Sequence, residues 1–217
     1  MTNPPVDRFP VLDSLETVLH GFVLRVPGLD VRTDREAALA RLEAFHNHLR
    51  RGFGARVSRL AQQVHGNSVA IVSMDSPPLS AKADALVTRD PRVLLGIHVA
   101  DCCAVFLVDP RRRVIGLAHS GKKGSELNVV GATVSAMAAE FGTDPGDLVA
   151  QLSPCIRPPH YEVDFATQIV RDLRRSGVRQ VFDLGENTAT NLEKFYSYRM
   201  EKGRTGRMLA LLALESA

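Results

Sequence analysis

Cysteine is scarce in this chain: three residues among 217, an odd number, with two of them adjacent at Cys102 and Cys103. That count excludes a disulfide framework and points to a reducing compartment. Excess charge of one sign is also missing. The formal net charge is +3, and the longest basic run, Arg111-Arg112-Arg113, follows Asp109-Pro110 and reads as a solvated turn. A sequence-independent nucleic-acid binder would carry a basic face or stripe, so no nucleic-acid partner is expected. No apolar run approaches the length of a membrane span. The first residues, Met1 to Phe9, lack the apolar stretch of a secretory signal. The expectation is a cytoplasmic protein without a membrane partner, monomeric or a small homo-oligomer.

What remains is an ordinary globular composition, 45% apolar and 24% charged, enough to bury a large core. Residues 1–15 read as a loosely held arm. His20 to Pro27 reads as a strand. Thr33 and Glu36 form a capping box before Leu39, Leu42, Phe45 and Leu49, which recur at helical spacing. On this helix His46 and His48 are expected at the surface. Short β-type runs follow at 68–73, 83–88, 93–100, 104–108 and 114–119. Helices are predicted over 125–141 and 165–175, with strands at 148–152, 178–184 and 195–199. The run Met208–Leu214 is apolar throughout, so period alone does not separate strand from helix. The pattern predicts a single α/β (α+β) domain over 1–217, with helices covering a mixed, largely antiparallel sheet.

Reactive side chains gather at the ends of the apolar runs, in Gln62-Gln63-Val64-His65-Gly66, Ala100-Asp101-Cys102-Cys103, Ala118-His119-Ser120-Gly121 and Ser153-Pro154-Cys155-Ile156. A turn centred on Pro110-Arg111 makes paired positions of the hairpin sum to 221. Cys102 and His119 then face each other, with Cβ atoms roughly 5 Å apart. With His65 they form a His2Cys set. Three protein ligands and an open position are the arrangement of catalytic zinc. Cys103 should point to the opposite face. His98 shares the face of Cys102 and is either a site residue or core, and Cys155 is a candidate for pocket lining.

The ordered motifs Gln63-Val64-His65-Gly66, Ala83-Asp84-Ala85-Leu86-Val87-Thr88, Ala100-Asp101-Cys102, Ala118-His119-Ser120-Gly121, Pro154-Cys155-Ile156 with Tyr161-Glu162-Val163, Phe195-Tyr196-Ser197-Tyr198-Arg199 and Thr205-Gly206-Arg207 resemble the bacterial laccase-domain family. These are the multicopper polyphenol oxidase-like proteins, understood as purine nucleoside phosphorylases with added adenosine deaminase activity. The resemblance runs from about His20 onward. It implies a layered αββα fold, zinc on His65, Cys102 and His119, and phosphorolysis of adenosine, inosine, guanosine or methylthioadenosine. Nucleoside and phosphate are the partners it implies. Asp101 or Glu162 would move protons, and Arg25, Lys123 and Arg199 would hold phosphate. Gln63 and Cys155 complete the implied pocket.

The chain departs from the family pattern at a few places. The usual His-Ala-Gly-Trp-Arg-Gly reads His119-Ser120-Gly121-Lys122-Lys123-Gly124 here, and a usual cysteine is Asn187. Lysine offers a point charge where arginine offers a planar fork. Three other readings of the same residues stay open. One is a copper phenol oxidase, since His2Cys is also a blue-copper set. Another is a metal-free Cys102–His119 hydrolase. The third is an inactive relative that binds metal or nucleotide.

Overall fold

The computed structural model describes residues 5–54 and 57–215. The chain begins with β1 (Val6–Asp7), α1 (Pro10–Asp13), β2 (Val18–Val23) and α2 (Arg35–Gly52). Seven strands follow: β3 (Val57–Ala61), β4 (Val69–Ile71), β5 (Leu79–Ser80), β6 (Ala85–Thr88), β7 (Val93–Val99), β8 (Cys103–Asp109) and β9 (Val114–Ser120). Then come α3 (Lys122–Glu126), α4 (Val129–Phe141), β10 (Val149–Leu152), α5 (Phe165–Arg175), β11 (Gln180–Asp183) and β12 (Met208–Leu214).

The strands form two six-stranded sheets, ordered β1-β2-β12-β7-β3-β5 and β11-β10-β8-β9-β6-β4. Six of the described pairings are antiparallel and four parallel, so the sheets are mixed and largely antiparallel. Strand alternation sorts the apolar residues into layers. In β12, Met208, Ala210, Leu212 and Leu214 point into the core between the sheets. Leu209, Leu211 and Ala213 point the other way, onto Leu49 and Phe53 at the end of α2. The second sheet does the same. Ala104, Phe106 and Val108 face inward, while Cys103, Val105 and Leu107 join Val134, Met137, Ile169 and Leu173 of α4 and α5. The result is the expected αββα layering. A strand buried on both faces has no polar alternation, which is why β12 reads as continuously apolar.

Several expected boundaries move. The α2 cap is Asp34, not Thr33: its carboxylate accepts the Ala37 N–H at 3.0 Å. The helix predicted from Ser125 is two helices, because Asn128 takes a left-handed φ of 53° and caps α4 through the Gly131 N–H. Residues 195–199 form no strand. The N–H groups of Ser197 and Arg199 go to the carboxylates of Glu201 and Asp101 instead of a ladder.

Residues 5–15 are no loosely held arm, although residues 1–4 lie outside the described residues. Phe9 and Leu12 are fully buried, and β1 pairs with β2. His20 fixes this segment. Its Nε2 accepts the Phe9 N–H at 2.8 Å, and its ring stacks on Phe9. Burial, and then Arg8, push the His20 pKa down to about 4, with Asp13 opposing. The neutral form is therefore built into the fold. Above about pH 6.5 both folded and unfolded imidazoles are neutral and the group has no effect. Below it the unfolded chain binds a proton that the folded chain refuses, so stability falls as pH drops from about 6.5 towards 4. Thermal unfolding followed across that range should show the loss, and His20→Gln, which has no imidazole to protonate, should reduce the slope by the His20 share and leave that of the buried His46 and His98. An unchanged slope in His20→Gln would remove His20 as the cause.

Candidate metal centre

The β8–β9 hairpin does not have the expected register. Asp109 pairs with Val114 and Ala104 with His119, so paired numbers sum to 223. The cause is the connection. Asp109 Oδ1 accepts the N–H groups of Arg111 and Arg112, and Arg113 takes φ 53°, giving four linking residues. A shift of two keeps every side chain on its face. Cys102 and His119 therefore remain on one face, diagonal instead of opposite.

The position across from Cys102 falls on Gly121. A Cβ there would lie 2.5 Å from Cys102 Sγ, so the thiol sits directly over the missing side chain. Gly121→Ala should push the thiol away at a cost of about 1–3 kcal/mol, a loss in metal affinity on the order of tenfold to a hundredfold. Competition with a metal chelator measures it, and unaltered affinity would show that the thiol is not held there for a ligand.

His65, Cys102 and His119 bring one ligand atom each to within 4.8 Å of one another. The rings of His65 and His119 meet edge to face, 4.9 Å between centroids. Asp84, directly before β6, organises the group. Its Oδ1 accepts from the His65 N–H and from His119 Nδ1, both at 2.9 Å. Its Oδ2 accepts from the N–H groups of Val64 at 3.1 Å and Gly66 at 2.7 Å. Gln63, His65 and Asp101 all hold positive φ, local strain concentrated around the site.

Burial pushes the Cys102 thiol up, but the charge of His119 and hydrogen bonds from His119 and His65 outweigh it and bring the pKa to about 6. Burial opposes charge on His119 too, yet Cys102 and Asp84 raise its pKa to about 9. Each group thus favours the charged form of the other, thiolate beside imidazolium, and a metal ion bound there would take the place of the His119 Nε2 proton. An imidazole whose Nδ1 is held by a carboxylate presents Nε2 outward, the orientation found in metal-ligating histidines.

These side chains line a cavity of about 1080 Å³ that also contains Gln63, His98, Asp101, Lys122, Lys123, Tyr161, Phe165, Tyr198 and Arg199. Gln63 contributes by gripping the His98 backbone, donating to its carbonyl at 2.6 Å and accepting its N–H at 3.0 Å. Asp101 is spent on loop geometry. Its oxygens accept from Thr188 Oγ1 and the Arg199 N–H, both at 2.7 Å. Lys123 is exposed at the cavity rim with no acid in salt-bridge range among the described residues.

Four expected placements are corrected. Arg25 lies outside the cavity, bonded to Glu201 at 2.6 Å and stacked on Tyr196. Cys155 is buried in the outer core beside Cys103, which places it behind the sheet. Glu162 does not line the cavity and instead binds Arg199 at 2.6 Å, with Arg199 stacked on Tyr161. His46 is buried, its ring 5.3 Å from that of His98. Cys103 faces away from the site, as alternation requires. Asp84 and Arg207 stand in the quoted motifs without an assigned role, and Arg35 has none either, yet Asp84 holds the two histidines and both arginines line the cavity. Asp84 had a signal, an acid opening the apolar run Ala85-Leu86-Val87.

Fold and cavity define a two-sheet αββα protein with a His2Cys centre suited to one metal ion. The chain belongs to the multi-copper polyphenol oxidoreductase laccase family, whose model matches residues 27–169 and 162–215. It is 34% identical to a purine nucleoside phosphorylase of Deinococcus radiodurans, across 99% of this chain and 95% of the relative. It is 26% identical to the mouse purine nucleoside phosphorylase LACC1, across 92% of this chain, and spans 56% of that protein's length. Two crystal structures share the fold. The Neisseria meningitidis protein NMB0706 has a TM-score of 0.82 at 20% identity, covering 99% of this chain and 100% of the other. YlmD from Geobacillus stearothermophilus has a TM-score of 0.79 at 22% identity, covering 93% of each.

Proposed function

We propose that this protein is a zinc-dependent purine nucleoside phosphorylase acting on adenosine, inosine, guanosine or methylthioadenosine, with adenosine deamination as a further activity. The observation that carries the reading is the convergence of His65, Cys102 and His119 within 4.8 Å on the wall of the large cavity. The shared name of the curated relatives supports the substrate class. Thiolate and imidazole donors with a carboxylate behind His119 suit zinc. A zinc ion held there supplies a Lewis acid that polarises a bound oxygen.

The chain's own residues do the rest. Tyr161, Phe165 and Tyr198 offer aromatic surface for a purine. Basic side chains on the wall attract phosphate, whose oxygen bonds to the sugar C1′ as the glycosidic C–N bond breaks and its electron pair passes to the purine. Asp101 positions the Cys102 and Arg199 loops instead of moving a proton. Copper clusters are disfavoured because, among the described residues, one group of three potential ligands is found and His20 and His46 are buried elsewhere. With three free cysteines the reading suits a reducing cytoplasm, as a monomer or small homo-oligomer.

The test pairs metal analysis with an assay of inosine and phosphate. The expected result is about one zinc per chain and release of hypoxanthine with ribose 1-phosphate. Chelation should abolish release and added zinc restore it. Zinc-loaded protein that releases no purine base from any of the four nucleosides would overturn the proposal, and activity indifferent to chelators would favour the Cys102–His119 nucleophile.

A further inference from the structure

The two arginines expected to hold phosphate have carboxylate partners, Glu201 for Arg25 and Glu162 for Arg199. Arg207 does not. It lines the cavity while only 9% exposed. Its Nη1 donates to the carbonyls of Thr205 at 2.9 Å and Gly206 at 2.8 Å, and Tyr198 lies 5.8 Å from its guanidinium carbon. No carboxylate among the described residues lies within salt-bridge distance, and Nε and Nη2 find no acceptor there.

A second cation stands beside it. Arg35, the first residue of α2, lines the same cavity, and its Nη2 donates to the Gln62 carbonyl at 3.2 Å. It too has no carboxylate within salt-bridge distance among the described residues. Burial and then Arg35 press the Arg207 pKa down, and the more weakly acting Tyr198, Cys102 and Asp101 oppose them without forming an ion pair. His98, in the same lining, has a buried Nε2 without a hydrogen-bond partner. Burial and neighbouring positive charge keep that ring neutral.

A guanidinium nine-tenths buried beside another cation is costly unless an anion joins them. The planar fork matches a tetrahedral oxyanion through two parallel N–H groups. We infer that Arg207 and Arg35, assisted by His98, form the binding site for a phosphate dianion in this cavity, in place of Arg25 and Arg199. The assignment of that phosphate as the attacking co-substrate rests on the phosphorylase reading; the anion site rests on the charges alone.

The test uses the full-length, zinc-loaded protein with inorganic phosphate as the probe. Phosphate should raise the Tm of the wild type in proportion to its occupancy. Arg207→Lys and Arg35→Gln should each weaken phosphate binding roughly tenfold or more, with zinc content unchanged. The phosphate KM should rise by the same factor while the nucleoside KM holds. Arg111→Gln, on the β8–β9 hairpin turn and outside the cavity lining, removes the same charge as Arg35→Gln and should change neither. Arg35 is exposed, so its variant decides the matter if the Arg207 variant fails to fold.

Phosphate binding unaltered in Arg35→Gln and Arg207→Lys overturns the site, as does a loss confined to Lys123→Gln. A Tm rise with adenosine monophosphate alone, abolished by Arg207→Lys, keeps the oxyanion site and assigns it to a phosphate ester. Phosphate binding without any purine release leaves the site standing and removes the phosphorylase reading. Purine release with a phosphate KM unmoved by either substitution does the reverse.

Discussion

Cys102→Ala is expected to lose the metal and all nucleoside chemistry together, with zinc falling from about one per chain to near zero and the fold intact. Cys103→Ala, one residue on, should keep both. The two thiols differ in the face they occupy. Cys102 turns to the cavity wall beside His65 and His119, with its pKa brought to about 6 by the two imidazoles against the opposing effect of burial. Cys103 lies in the outer core with Val105, Val134 and Met137, its thiol near the Ser153 carbonyl at 3.6 Å. Removing it should cost packing alone, about 1–3 kcal/mol.

Loss of one of three ligands leaves two histidines that cannot hold zinc at catalytic affinity, while the core between the sheets is untouched. Metal analysis and far-UV circular dichroism on the two variants read the outcome. The reverse pattern, with zinc lost from Cys103→Ala and kept by Cys102→Ala, would falsify the ligand assignment. Equal metal retention would move the chemistry to the Cys102–His119 nucleophile.

Much of this was legible in the sequence because it depends on local pattern. The helix Phe165–Arg175 has the bounds its periodicity predicts, since Asp164 caps it through the Thr167 N–H and Gly177 takes a φ of 95° just beyond its end. Strand alternation separated Cys102 from Cys103 correctly. It even survived an error of two in the hairpin register, because parity fixes the face and the turn fixes only the offset.

The failures have a common origin in contacts between residues far apart in the chain. Nothing near Arg25 announces Glu201, 176 positions away, yet that partner removes it from the cavity. His46 looks like a surface histidine on an amphipathic helix until β7 brings His98 against it. Arg207 follows Thr205-Gly206 as an ordinary basic residue. Its importance appears only when the fold buries it in the cavity wall with Arg35 and, among the described residues, without a carboxylate in salt-bridge range. Charge pairing is a tertiary property, so a list of basic residues cannot say which of them are free to bind an anion.

Asp84→Asn should be nearly as damaging as losing a ligand, although the substitution changes one atom and touches no metal. The carboxylate receives four hydrogen bonds, two on each oxygen, from Val64, His65, Gly66 and His119. A carboxamide keeps one oxygen and turns an NH2 group towards donors. If the amide faces Val64 and Gly66, their two part-buried N–H groups lose their acceptor. If it faces the other way, His65 and His119 lose theirs, and His119 is released from the tautomer that presents Nε2. Each stranded donor costs about 1–3 kcal/mol, so the Tm should fall clearly. Zinc affinity should fall about tenfold to a hundredfold, the usual effect of removing a carboxylate behind a ligating histidine. Burial pushes the Asp84 carboxyl up, but the bonds from His119 and the backbone outweigh it and hold its pKa below the ordinary 3.8. Its stabilising contribution is therefore present above that value and lost only as pH falls through the lower folded one, so the full difference between wild type and Asn variant is expected at neutral pH. Chelator competition gives the affinity, and thermal unfolding of chelator-treated protein separates the structural share from the metal's. An Asn variant with wild-type zinc affinity would mean that backbone alone positions His65 and His119, and that Asp84 serves the loop and not the metal centre.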